Sequence, residues 1–169
     1  MENLSVLLLK CPHTGNKEED EVVQILETEG FKILERAEIK DYLSLIPIIY
    51  SDGRGNPLKF VQRDIQSRIK LYGNSQKASA FLLTHLIQNT FQSIDNLVGP
   101  TSFEKYKKPE FCNTLRARFL GPMVQETKEN GEPIQIRIDA FHCCRTPQEF
   151  LREAKIYFSQ EILEKYNIL

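Results

Sequence analysis

The sequence predicts an α+β sandwich, a mainly antiparallel sheet of four strands with helices packed on it. Short apolar or alternating runs of strand length are separated throughout by amphipathic stretches of helical period. The chain of 169 residues is long enough to enclose one real core. No internal repeat, low-complexity tract or linker divides it, so a single domain spanning 1–169 is expected.

Ser5–Lys10 is an apolar run closed by a charge, the pattern of a buried strand. Pro12, Thr14, Gly15 and Asn16 mark a turn. Between Glu18 and Glu29, Val22, Val23, Ile25 and Leu26 recur at helical spacing, and Gly30 closes the helix. Phe31–Ile39 alternates apolar and charged residues, giving a strand with one wet face. Asp41 is a helix N-cap for Tyr42–Ile46. Pro47–Gln62 has no assigned element beyond a turn over Ser51–Pro57. The Gly53-Arg54-Gly55 chemistry there is not a P-loop, having neither the Lys-Ser/Thr ending nor a following helix. Asp64–Tyr72 reads as a helix, Ser79–Ile87 as a strand, and Thr90–Val98 as a helix ended by Gly99-Pro100. Thr101–Asn113 is an irregular Lys-rich loop, and Thr114–Phe119 reads as extended. Glu126–Pro133 is a polar excursion with a turn at Asn130-Gly131, and Ile134, Ile136 and Ile138 mark an alternating strand over Pro133–Ile138. Thr146-Pro147 opens a helix through Phe158, with proline in the favoured first position. Ser159 caps a last helix to Tyr166. The element order suggests ferredoxin-like topology with helices on one face of the sheet.

A net charge of −1 gives no global positive field for nucleic acid or anionic membrane. The run Val6-Leu7-Leu8-Leu9 is too short to span a bilayer, and Met1-Glu2-Asn3 lacks the basic region of a signal peptide. Four cysteines in no regular framework, with Cys143 and Cys144 adjacent, fit a reducing, cytosolic setting. Adjacent cysteines ligate one tetrahedral ion poorly and no C-x-x-C pair exists, so no metal site is expected.

Three segments together resemble the nucleoside diphosphate kinase family. The first is Val6-Leu7-Leu8-Leu9-Lys10, with Gly30-Phe31 after the first helix. The second is Leu97-Val98-Gly99-Pro100-Thr101, leading to Thr114-Leu115-Arg116-Ala117-Arg118-Phe119. The third is Ile138-Asp139-Ala140-Phe141-His142, followed by a helix carrying Glu153. The resemblance implies ping-pong phosphoryl transfer from a nucleoside triphosphate to a diphosphate through a phosphohistidine. It casts His142 as nucleophile, Glu153 as the group fixing the imidazole tautomer, and Lys10 as the cation at the transferred phosphate. Thr101 and Arg116 would bind the outer phosphates, and Mg²⁺ would arrive with the ATP or other nucleotide.

The chain also departs from the family pattern. Cys11 follows Lys10, and the acid after the family's proline is missing. Asp139 stands where the family has asparagine, and Asp95 where it has arginine. Two negative charges about 5 Å apart repel by roughly 3 kcal/mol at an effective dielectric near 20, which predicts weakened nucleotide binding. The stretch Gly121–Pro133 lengthens the path from Arg116 to His142, and Ser51–Asn56 falls where the family's base-stacking aromatic residue lies. These departures favour a non-catalytic or weakly active interaction module of a larger assembly. The resemblance extends to non-classical members built into cilia and flagella, with protein partners or self-association. The alternative is an active nucleoside diphosphate kinase.

Overall fold

A computed structural model describes residues 3–52, 55–101, 105, 108–127 and 131–169. Strand β1 (Leu4–Lys10) lies inside a four-stranded sheet of order β2-β3-β1-β6, with β2 Phe31–Ile39, β3 Ala78–His85 and β6 Phe141–Cys143. Every neighbouring pair is antiparallel. That is the ferredoxin-like order expected. Hairpin strands β4 (Met123–Thr127) and β5 (Pro133–Arg137) form a separate two-stranded sheet.

Helices cover both faces of the main sheet, not one. Leu7 and Leu9 pack with Val22 and Leu26 of α1 (Lys17–Thr28) and Ile94 and Val98 of α4 (Thr90–Val98). Val6 and Leu8 pack on the other side with Tyr42 and Ile46 of α2 (Tyr42–Ile49) and Phe150 and Ala154 of a late helix, α6 (Pro147–Tyr157). The unbroken apolar run of β1 carries this signal, because a strand buried on both faces has no polar side to alternate. Strand β2, at the sheet edge, keeps the alternation.

Other elements differ from expectation in ways that matter to the site. The unassigned stretch continues α2 through Pro47 to Ile49, then makes a bridge between Ser51 and Pro57 before α3 (Val61–Tyr72). Thr114–Phe119 is not extended: Leu115–Arg118 forms one helical turn, α5, with Thr114 at its N-cap. Within the alternating segment Pro133–Ile138, Pro133–Arg137 pairs with Met123–Thr127, so the main sheet's fourth strand is instead the short β6 that carries His142. Alternation reports a one-sided strand but not its partner, and a local hairpin closes at less entropic cost than a distant pairing. The caps hold: Asp41 accepts from Ser44 N, and Thr146 from Glu149 N. Ser159 sits at the N-cap of α7 (Gln160–Lys165), its side chain making no capping bond among the described residues. Turn residues Gly53, Arg54 and Asn130, and Ser102, Phe103, Glu104, Tyr106 and Lys107 of the Lys-rich loop, lie outside the described residues.

Candidate active site

Strands β1 and β6 set the frame. Leu8 faces His142 across the ladder, and Lys10 N donates to Ala140 O at 2.8 Å. Side chains two apart on one strand share a face, so Lys10 and His142 project from the same side of the sheet. Helix α6 crosses that side with Phe150, Glu153, Ala154 and Tyr157 buried at helical spacing.

Glu153 is fully buried beneath the imidazole, its Oε2 2.7 Å from His142 Nε2. Oε2 also accepts from Tyr157 Oη at 3.3 Å and Cys144 Sγ at 3.4 Å, and Oε1 from Arg152 at 3.1 Å. Burial pushes this carboxyl up, but the hydrogen bonds from His142 and Arg152 outweigh it and hold it below its ordinary value. An ionised carboxylate only accepts, so Nε2 carries a proton, and in the neutral ring the lone pair is on Nδ1.

A cleft of about 370 Å³ opens over this pair, lined by His142, Glu153, Thr101 and Arg116 among the residues expected at the site. Lys10 is 1% exposed and lies behind Tyr50, whose hydroxyl is 3.3 Å from Nζ. The Tyr50 ring meets the imidazole edge-on with centroids 5.2 Å apart. Tyr50 therefore connects the two groups, and it, not Lys10, lines the cleft. Burial pushes the Lys10 ammonium down to about 7, against the opposing attraction of Asp139.

Neither acidic departure stands bare. Asp95 pairs with Arg145 at 2.7 Å, and Asp139 with Arg116 at 2.9 Å. The remaining Arg116 nitrogens donate to the carbonyls of Gly99 and Phe141. Gly99 ends α4 with φ of +85°, and a Cβ there would lie 2.6 Å from the Thr114 side chain. That close approach brings the α4 terminus onto α5 and within reach of Arg116.

Several cleft residues escaped sequence reading. Tyr50 and Phe60 lay in the unassigned stretch, and Arg145 and Arg152 gave no motif. Phe60, 39% exposed and edge-on to Tyr50 at 5.5 Å, is an aromatic surface at the cleft mouth. The detectable clue was Ile48-Ile49-Tyr50, an apolar helix end finishing in an aromatic residue with a polar tip. Cys143 and Cys144 are buried, and burial pushes the Cys143 thiol up to about 12 and Cys144 well above its usual value. Both are protonated and poor nucleophiles at neutral pH. Among the described residues, no group of three or more His, Cys, Asp or Glu side chains could hold a metal ion. No helix among the described residues is long and apolar enough to cross a membrane.

No protein-family model matches the sequence, and no curated protein matches it. Solved structures do. The nucleoside diphosphate kinase of Aquifex aeolicus is 16% identical, with 94% of this chain and 96% of that one covered at a TM-score of 0.66. An NDP kinase from Pyrobaculum aerophilum is 18% identical, covering 94% and 97% at 0.65. The Borrelia burgdorferi nucleoside-diphosphate kinase, solved as a transition-state mimic with bound vanadate and ADP, is 20% identical, covering 94% and 88% at 0.62. The likeness read from three short segments thus extends over nearly the whole backbone, and the chain has the fold of the nucleoside diphosphate kinases.

Proposed function

We propose that the chain is a divergent nucleoside-diphosphate-kinase-like phosphotransferase of low turnover, with His142 as the phosphoryl acceptor. The observation that carries this reading is the His142–Glu153 pair at 2.7 Å in the floor of the cleft. The Nδ1 lone pair attacks the γ-phosphorus of a Mg²⁺-bound nucleoside triphosphate, supplied as substrate. The P–O bond to the β-phosphate breaks, and its electron pair leaves with the diphosphate. Nε2–H stays on the ring, and Glu153 stabilises the cationic character the ring gains. A second diphosphate reverses the step. Arg116, Arg145 and Arg152 line the cleft as sources of positive charge for the phosphates. Phe60 offers the base an aromatic face.

Incubation with γ-labelled ATP and Mg²⁺ tests the reading. Acid-labile, alkali-stable label is expected on the wild-type chain and absent from His142→Ala. A wild-type chain that takes no label over hours with excess ATP overturns it.

The exposed apolar pair in the turn after β3 favours a second reading, a fold that serves as an interaction module through self-association. Leu86 is 69% and Ile87 90% exposed. Sedimentation separates the cases: a Leu86→Ser/Ile87→Ser variant becomes lighter than wild type if these residues join copies. Identical monomers overturn that reading.

A further inference from the structure

Three cations converge on Asp139. Arg116 Nε donates to its carboxylate at 2.9 Å, and Arg68 donates to its backbone carbonyl at 2.6 Å. Lys10 attracts it through space. Arg68 and Arg116 are 1% and 5% exposed, so neither is a solvated surface charge. Arg68 is further fixed by Asp64 at 3.0 Å, and its other terminal nitrogen is buried with no hydrogen-bond partner among the described residues. The second Asp139 oxygen accepts from Phe141 N at 2.9 Å, which orients the carboxylate toward Arg116. Asp139, Arg116 and His142 all line one cleft.

A carboxylate and a phosphate present the same face to a guanidinium, oxygens accepting from planar N–H donors. We propose that Asp139 is a built-in anion that holds Arg116 against incoming polyphosphate, so that this side chain sets how weakly the cleft takes a nucleotide. The inference deepens the phosphotransferase reading and rests on it. A phosphate reaching Arg116 meets an anion already seated there, and it gains only the difference between two similar pairings while facing like-charge repulsion.

Asp139→Asn keeps the shape and the acceptor for Phe141 N but removes the charge. Calorimetric titration with sodium pyrophosphate and with ADP compares wild type, Asp139→Asn and Asp139→Asn/Arg116→Gln. Pyrophosphate binding at least tenfold tighter in Asp139→Asn, lost again in the double variant, is the expected result. Equal or weaker binding of pyrophosphate in Asp139→Asn overturns the proposal. So does a gain that survives loss of Arg116. The ADP arm separates this from failure of the underlying reading. ADP bound by wild type with no gain in Asp139→Asn overturns only the built-in anion. A pyrophosphate gain with no ADP binding and no label on His142 keeps the anion and overturns the kinase reading. Should Asp139→Asn fail to fold, the wild-type Arg116 Nε–H resonance serves. It stays unmoved by micromolar pyrophosphate if Asp139 holds it, and an early shift overturns the proposal.

Discussion

At the scale of single residues, the site depends on two ionisable groups taken out of water. Glu153 is kept ionised by its hydrogen bonds despite full burial. Glu153→Gln retains the shape but releases the imidazole tautomer, because an amide can either donate or accept. Phosphohistidine formation in that variant is expected to fall by about 100-fold, within the range for general acid–base partners; label equal to wild type would show that the pair is only structural. Lys10 is the opposite case, since burial lowers its folded pKa to about 7. In the unfolded chain a lysine titrates near 10.4. Between those values the unfolded state binds the extra proton, so this group makes stability rise with pH from about 7 toward 10. Below 7 both states are charged and the slope vanishes. Lys10→Met removes that proton linkage, and the variant is expected to be more stable than wild type at pH 7 by on the order of 1–3 kcal/mol, with a gap that narrows by pH 9.5. Urea melts at the two pH values measure it, and a constant gap would place the ammonium in a solvated state.

At the scale of elements, the hairpin β4–β5 lies on the chain between Arg116 and His142. One bond among the described residues ties it to α3, and two more close its base. Ser67 Oγ on α3 donates to Glu126 at 2.5 Å, Arg137 donates to Gly121 O at 2.6 Å, and Ile138 N donates to Pro122 O at 3.0 Å. Gly121 is required for the close approach, since a Cβ there would fall 1.9 Å from the Ile138 carbonyl oxygen. That oxygen belongs to backbone one residue before Asp139, so relief of the clash moves the segment that holds Arg116. Gly121→Ala is expected to cost about 2 kcal/mol or more, beyond the ordinary range of surface substitutions. It should also lower label on His142; unchanged melting and label would show that the hairpin floats free of the site. The sequence revealed the hairpin's existence as extra length with turn chemistry and an alternating run. It did not reveal that Pro133–Arg137 pairs locally, because period-2 patterning is blind to partner identity. It likewise read Thr114–Phe119 as extended, since one helical turn is too short to show a period. Arg116 reaches Asp139 from that turn.

At the scale of the whole molecule, most of the strand and helix order was legible because each long element carries its own period and its own caps. His142 and Glu153 were legible as a pair through their offset and family resemblance. Tyr50 was not, since its role comes from a distant lysine and histidine meeting across two strands. The layer count was misread for a related reason: β1 is central, and only tertiary context says what covers each face. Leu7 and Leu8 are both fully buried yet belong to separate apolar clusters on opposite sides of the sheet. Each cluster has its own helices, so truncating either leucine leaves a cavity that the other side cannot fill. Leu7→Ala and Leu8→Ala are each expected to lose about 3 kcal/mol, a large share of the roughly 5–15 kcal/mol that holds a domain folded. Denaturant midpoints of the two single variants decide the matter. Comparable losses follow from a three-layer molecule with the sheet in the middle. A Leu7→Ala variant within about 0.5 kcal/mol of wild type, the ordinary range for a surface substitution, would mean that the α1–α4 face is open and the helices lie on one side only.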